Sequence, residues 1–339
     1  MLLALLLALA PWWLAGCAAP GPRAAAPACL SECTPRIGVM AAFGQEADLL
    51  VAQMQDVSER RINGNRFVLG RLQGLPVVLV LSGVSLPNAV MVSQLMLDHF
   101  RVTQLVFSVI AGGIDPRHQV GDIVIPQAWA LQQETYYAAS PALPKPCGTT
   151  AGDLSCLGLA LDDMRTPYGD GQFLRKTNVL NSANWQQVAL RDSLGGAPVA
   201  HGEMRSRYPV DAAMLATLRA ALPAINGALE PLCVPGQACS TPHASVSALG
   251  VSGSSFVAHP GYREYLHRQL GAGSVDMETA GVAHVAYANQ VPFLAFRSLS
   301  DLAGSDEHPE RVGQFFSSGM AQRNAARVTL GFLKAWAAR

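Results

Sequence analysis

Glu278, Arg297 and Asp301 all fall within residues 274–301, SVDMETAGVAHVAYANQVPFLAFRSLSD. Carboxylates and a guanidinium can give, take or hold protons and can grip polar ligands. The elements around them decide whether they meet. Residues 275–278 read as the tip of a buried strand. Residues 280–287 form a helix of small residues, and 291–296 are a short apolar run of parallel-strand type. Arg297, Ser300 and Asp301 then leave that strand. In open α/β sheets the carboxyl ends of the strands make the ligand crevice, so the three groups should converge there.

The remaining elements follow the same alternation. A buried strand at 37–42 is followed by a turn and by a helix over 46–57, apolar at 47, 50, 51 and 54. Residues 68–72 and 77–81 make a hairpin, 82–85 a strand-to-helix turn, and 87–100 a helix. Strand 104–110 reads as fully buried, with Ala111-Gly112-Gly113 as its exit loop, and a further strand covers 121–125. Between about 132 and 245 the pattern dissolves into Pro, Gly, Ser and Asn clusters, with helices only near 184–193 and 211–221. A connection this long is functional or a separate lobe. Strand 244–251, a glycine turn at 252–255 and a final helix at 313–338 complete the chain. The expectation is a single three-layer α/β/α domain, residues 36–339, around a mostly parallel mixed sheet with a long insertion at about 132–245.

Composition excludes several classes. Half of the 339 residues are hydrophobic and 14% are charged, with 24 basic and 24 acidic side chains. No basic stripe suggests nucleic acid. No turn reads Gly-x-Gly-x-x-Gly or carries a phosphate-loop lysine, which argues against a dinucleotide or nucleoside triphosphate cofactor. Residues 1–16 are an apolar run ending in Leu14-Ala15-Gly16-Cys17, which resembles the lipobox of bacterial lipoproteins. That resemblance implies a signal peptide over 1–17, lipid on Cys17, and a periplasm-facing lipoprotein of the bacterial envelope. Ala18 after the cysteine leans toward the outer membrane, and residues 18–35 would be a tether. Six more cysteines in an exported chain imply disulfides, with several pairings possible. Proximity in sequence favours Cys29–Cys33, Cys147–Cys156 and Cys233–Cys239. No cysteine or histidine spacing suits a metal, so none is expected.

Five separated stretches carry a further resemblance: IGVMAAFGQEADLL (37–50), LSGVSLPNAV (81–90), AGGIDPRHQVGDIVI (111–125), GVSGSSFV (250–257) and VDMETAGVAHVAYANQVPFLAFRSLSDLA (275–303). In this order they resemble the nucleoside phosphorylase / uridine phosphorylase superfamily, most closely its 5′-methylthioadenosine/S-adenosylhomocysteine nucleosidases. The resemblance implies hydrolysis of the N-glycosidic bond of a purine nucleoside, of adenosine-thioether type, without a cofactor. Asp301 would protonate the purine, with Ser300 positioning it. Glu278 would accept hydrogen bonds from the ribose hydroxyls. Glu46 would activate the attacking water, and Arg297 would hold the carboxylates or the nucleophile. Phe256 would stack on the base and the backbone of Val257 would bond its edge. Met277 and Phe43 would line the sugar pocket, with Ala111 and Gly112 beside the nucleophile. A homodimer is implied as well.

Bland roles exist for the same side chains: a cap for Asp301, helix-dipole partners for Glu278 and Glu46, a structural ion pair for Arg297. Val109-Ile110 is bulkier than the small residues usual at that point of the nucleosidases, and Ser254 stands where an acidic residue is common. Two other readings therefore stay open: a phosphate-dependent purine nucleoside phosphorylase, and a lipid-anchored nucleoside-binding protein without turnover.

Overall fold

The computed structural model describes residues 29–42, 44–132, 177–179, 203–205, 207–231, 233, 239–304 and 319–339. In chain order the elements are β1 (Glu32–Ala41), α1 (Gly44–Val51), β2 (Gln55–Ile62), β3 (Asn65–Leu72), β4 (Leu75–Leu81), α2 (Leu86–His99), β5 (Phe100–Gly113), β6 (Ile123–Pro126) and β7 (Ala128–Leu131). Then come β8 (Thr177–Val179), β9 (Glu203–Arg205), β10 (Tyr208–Pro209), α3 (Ala212–Asn226), β11 (Ala244–Ser247) and β12 (Leu249–Ser252). The chain closes with α4 (Pro260–Leu270), β13 (Ala272–Asp276), α5 (Thr279–Ala288), β14 (Phe293–Asp301) and α6 (Met320–Ala337).

β5 organises the sheet. Its first part lies parallel to β1, which is itself parallel to β4. Its second part, from Leu105 to Gly112, pairs in parallel with β14. Gly112 and Gly113, at its tip, also pair antiparallel with β13. The sheet is mixed, because β3 and β6 run antiparallel to their neighbours β4 and β14. Helices α2 and α5 pack together on one side, and α1, α3 and α6 on the other. The core is the apolar filling between these layers, with Phe107, Phe296 and Phe332 wholly buried. This is the α/β/α arrangement that strand–helix alternation predicts.

Several local expectations need correction. The helix read over 46–57 ends at Val51, because the backbone from Gln55 pairs with β3 as an edge strand. β2 is exposed along almost its whole length and carries Asp56, Glu59, Arg60 and Arg61, charges of the kind that blunt a sheet edge. Asn63 and Gly64 turn it back at φ 48° and 79°, the two-residue hairpin geometry that Asn-Gly favours. The supposed exit loop 111–113 is strand. Arg297, Ser300 and Asp301 do not leave β14 but form its last turns of pleat. The single strand read over 244–251 is two, since β11 pairs with β6 while β12 pairs with β13 and β7.

Helix α4 was not expected, although Pro260 at its start, Tyr262, Leu266 and Leu270 on one face, and left-handed Gly271 at its end are ordinary helix signals. Within the stretch 132–245, β10 pairs with β7, and Asp211 caps α3, whose Met214, Leu215 and Leu218 are buried in the main core. Cys29 pairs with Cys33, and Cys233 with Cys239. Cys17, Cys147, Cys156, the helix read near 184–193 and residues 313–318 lie outside the described residues.

Candidate active site

Strand order brings the carboxyl ends of β1, β4, β5 and β14 to one end of the sheet, where a cavity opens. Its lining includes Ala42, Val84, residues 109–112, 255–257 and 275–278, Ser300 and Asp301. Of the side chains singled out in the sequence, Asp301, Glu278, Phe256, Val257, Met277, Ser300, Ala111 and Gly112 all face this one space. Glu46 and Arg297 stand behind its wall, and Phe43 lies outside the described residues.

Asp301 is buried at the end of β14. Its Oδ2 accepts from the Ser300 hydroxyl at 2.8 Å and its Oδ1 from the backbone N–H of Ala303 at 2.8 Å. A Cβ at position 112 would stand 3.0 Å from that Oδ1, so glycine there makes room for the carboxylate. Glu46, on α1, is also buried. Its Oε2 accepts from Ala42 N at 2.7 Å and its Oε1 from Ile110 N at 2.9 Å. Both amides belong to residues of the cavity wall, so Glu46 ties the ends of β1 and β5 together directly beneath the space.

Arg297 has a different neighbourhood from the one a ligand-binding group needs. It is fully buried, its Nε 2.5 Å from Asp276 Oδ2, and its Nη1 donates to the carbonyls of Phe107 and Phe296. Nη2 donates to the Thr279 hydroxyl, and the guanidinium lies over the rings of Phe107 and Trp129. Asp276 is the hub of this cluster. Its carboxylate also accepts from the hydroxyls of Ser252 and Thr279 and from the backbone N–H groups of Glu278 and Thr279, each at 3.2 Å. Ser252 in turn accepts from Ala280 N at 2.8 Å. The first turn of α5 is thereby pinned, and with it the backbone that carries Glu278. Arg297 therefore positions the site and does not line it. Ser252 and Thr279 were not singled out in the sequence, because only strand pairing between β12 and β13 brings Ser252 beside Asp276.

Glu278 projects into the cavity from the start of α5, with Oε1 accepting from Ser85 N at 2.8 Å and Oε2 from Met277 N at 3.2 Å. Burial first, and the Asp276 carboxylate second, push its carboxyl up to about 7. Since this lies above the ordinary glutamate value, the stabilising proton is fully bound below about pH 4.5 and is lost as pH rises through about 7. Glu278→Gln is therefore expected to raise stability at pH 8 by roughly 3 kcal/mol, a gain that fades as the pH falls toward 4.5. Thermal melts of both proteins across that range check it; a gain independent of pH would refute the titration.

Phe256 is 61% exposed at the cavity mouth, an unusual place for a large aromatic ring and a ready stacking surface. Among the described lining residues the charged side chains are Asp276, Glu278 and Asp301, all acidic. The arrangement is a cavity with an aromatic lip, two inward carboxylates from different strand ends, and a third carboxylate under the floor.

Comparison with known proteins agrees with this geometry. A family model described as Phosphorylase superfamily matches residues 36–334. The 5′-methylthioadenosine/S-adenosylhomocysteine nucleosidase of Mycobacterium tuberculosis is 26% identical over 298 residues, covering 88% of this chain and 96% of its own. That of Treponema pallidum is 28% identical over 291 residues, 85% of this chain and 89% of its own. Among solved structures, the nucleosidase of S. pneumoniae with a transition-state inhibitor aligns with a TM-score of 0.58 at 23% identity, over 89% of this chain and 99% of that one. The futalosine hydrolase of Helicobacter pylori aligns with a TM-score of 0.56 at 18% identity, over 91% of this chain and 98% of that one. These structural likenesses establish the fold, and the family match establishes descent. The chain belongs to the phosphorylase superfamily.

Proposed function

We propose that the protein hydrolyses the N-glycosidic bond of a purine nucleoside of the adenosine-thioether type. The observation that carries this reading is the acidic cavity. Two carboxylates face it from separate strand ends, and no lysine or arginine is among its described lining residues. An anionic nucleophile such as phosphate is repelled there, whereas water is not.

In the proposed reaction the purine stacks on Phe256 and the ribose hydroxyls donate to Glu278. The C1′–N9 bond breaks with its electron pair passing to the base. Asp301, held by Ser300 and the Ala303 amide, delivers the proton that neutralises the leaving purine at N7. Water attacks C1′ from the opposite face of the sugar, and Glu46 accepts its proton, giving free base and a ribose product. The adenosine-thioether preference is supported by the curated relatives, which are named for those two nucleosides.

The test is a nucleoside panel, including methylthioadenosine, S-adenosylhomocysteine and inosine, incubated with the chain from residue 18 with and without phosphate. Free base with free sugar is expected in both conditions. Sugar 1-phosphate formed only with phosphate would make the protein a phosphorylase, and tight binding without base release a binding protein. Val84, Met91 and Phe256 are exposed apolar side chains, which suits a second copy packing near the cavity mouth. Light scattering on the same sample should give the mass of a dimer, and a monomeric mass would remove that part of the proposal.

A further inference from the structure

Ser85 has no assigned role in the reaction above, yet it is the most strained position beside the cavity. It sits between Val84, which lines the space, and Leu86, which opens α2. Its backbone has φ 84° and ψ 150°. That region of conformational space belongs almost wholly to glycine, and a side chain held there persists only where the surroundings over-determine it. Two contacts do so here. The Ser85 N–H donates to Glu278 Oε1 at 2.8 Å, across 193 residues of sequence. Its hydroxyl lies 3.1 Å from that of Ser254, in the turn that leads to Phe256. The hydroxyl contact ties two lips of the cavity together, and the amide reaches the carboxylate inside it.

We infer that Ser85 is a positioning residue for the sugar-binding carboxylate: its strained peptide aims an amide at Glu278 and fixes that side chain's orientation toward a bound ribose. Strain of this kind is found where a group must be pre-set before the ligand arrives. One Glu278 oxygen is turned and held by the 82–86 turn, the other by Met277 N, so both lone-pair fans toward the cavity are defined before any sugar binds. The use of serine in place of glycine is explained by the Ser254 contact, which a glycine could not make.

The test uses three variants of the full chain. In Ser85→Val a β-branched residue cannot hold φ near 84°, so the turn should relax and withdraw its amide. Ser85→Gly keeps the conformation open and the amide available. Glu278→Gln reports on the sugar role itself. The first readout needs no substrate: the Glu278 carboxyl is titrated by carbon NMR in glutamate-labelled protein. The Ser85 amide lowers the Glu278 pKa, while Asp276 raises it and Arg297 lowers it, and those two are unaltered in the Ser85 variants. Ser85→Val should therefore titrate at higher pH than the parent, and Ser85→Gly should restore the parent midpoint. An unchanged midpoint in a folded Ser85→Val protein would overturn the inference.

The second readout rests on the proposed function. KM for a ribonucleoside should rise about tenfold in Ser85→Val, the scale of one lost hydrogen bond to a charged group, and far less for its 2′,3′-dideoxy analogue. If Ser85→Val lacks that split while Glu278→Gln shows it, the inference fails and the sugar role stands. If Glu278→Gln also treats both sugars alike, the sugar role fails, and the NMR result alone decides the link between Ser85 and Glu278.

Discussion

Asp301→Asn is expected to slow release of the base about a thousandfold, within the range that a positioned acid contributes. The substitution is nearly isosteric. Asparagine keeps an oxygen that can accept from Ala303 N and a group that can meet the Ser300 hydroxyl, so the end of β14 should keep its shape. What it loses is a proton to give. The effect should therefore fall on kcat, with KM little changed, and the melting temperature should stay close to the parent's. The bland alternative is that Asp301 merely caps the turn into Ala303. Asparagine caps as well as aspartate does. A variant with near-parental kcat would assign Asp301 to that structural duty and remove it from the chemistry. A nucleoside whose base leaves readily without protonation sharpens the measurement, because its rate should be much less affected.

Arg297→Met is expected to cost about 3–5 kcal/mol of stability, the penalty for stranding one member of a buried ion pair. Both side chains are out of contact with water, at 0% and 1% exposure, and no solvent can replace the missing partner. The loss would also release the carbonyls of Phe107 and Phe296 and the Thr279 hydroxyl from their donor. A fall in melting temperature of roughly 5–8 °C follows from the size of the domain. Replacing Asp276 by leucine in the same protein should recover part of that loss, since removing both charges is often close to neutral where removing one is not. Urea or thermal unfolding of the two single variants and the double one supplies the cycle. If Arg297→Met unfolds within about 0.5 kcal/mol of the parent, the cluster is not the anchor of α5 described above. The activity of the double variant should stay low even where stability returns, because Asp276 also holds the Glu278 amide.

The two effects separate the work of residues only a few positions apart. Asp301 and Arg297 share one strand, four residues apart with a register shift between Leu299 and Asp301, and Asp301 ends at the cavity while Arg297 points to the Asp276 cluster. Spacing in the sequence suggested that both would converge with Glu278 at a strand mouth. Asp301 does. Arg297 converges one layer deeper, since β14 continues through it rather than ending before it, and a strand residue buried among Phe107, Trp129 and Asp276 has no path to a ligand.

Much of the architecture was legible because it rests on short-range physics. The apolar runs that became β1, β5 and β14, the small-residue helix α5, and the β3–β4 hairpin depend on local periodicity, and a strand buried on both faces shows itself as an unbroken apolar run. The types of two cavity-lining groups were legible for the same reason, because Glu278 and Asp301 are carboxylates lodged against such runs. The edge strand β2 was not, since its eight residues are mostly polar and its pairing with β3 is decided by register with a neighbour. Nor was the branching of β5 at Gly112, where β13 and β14 meet the same strand end.

Contacts made across long stretches of chain stayed hidden. Nothing local to the turn 82–86 says that Ser85 will adopt a glycine-like conformation, or that its amide will meet a glutamate 193 positions away. Residue types and periodicity were enough to say that this chain folds as an α/β domain with carboxylates at its strand ends. Which carboxylate faces the cavity, which lies under its floor and which charge is consumed inside an ion pair depended on strand order and register. Those are set by packing between segments far apart in sequence, where no local pattern records the partner.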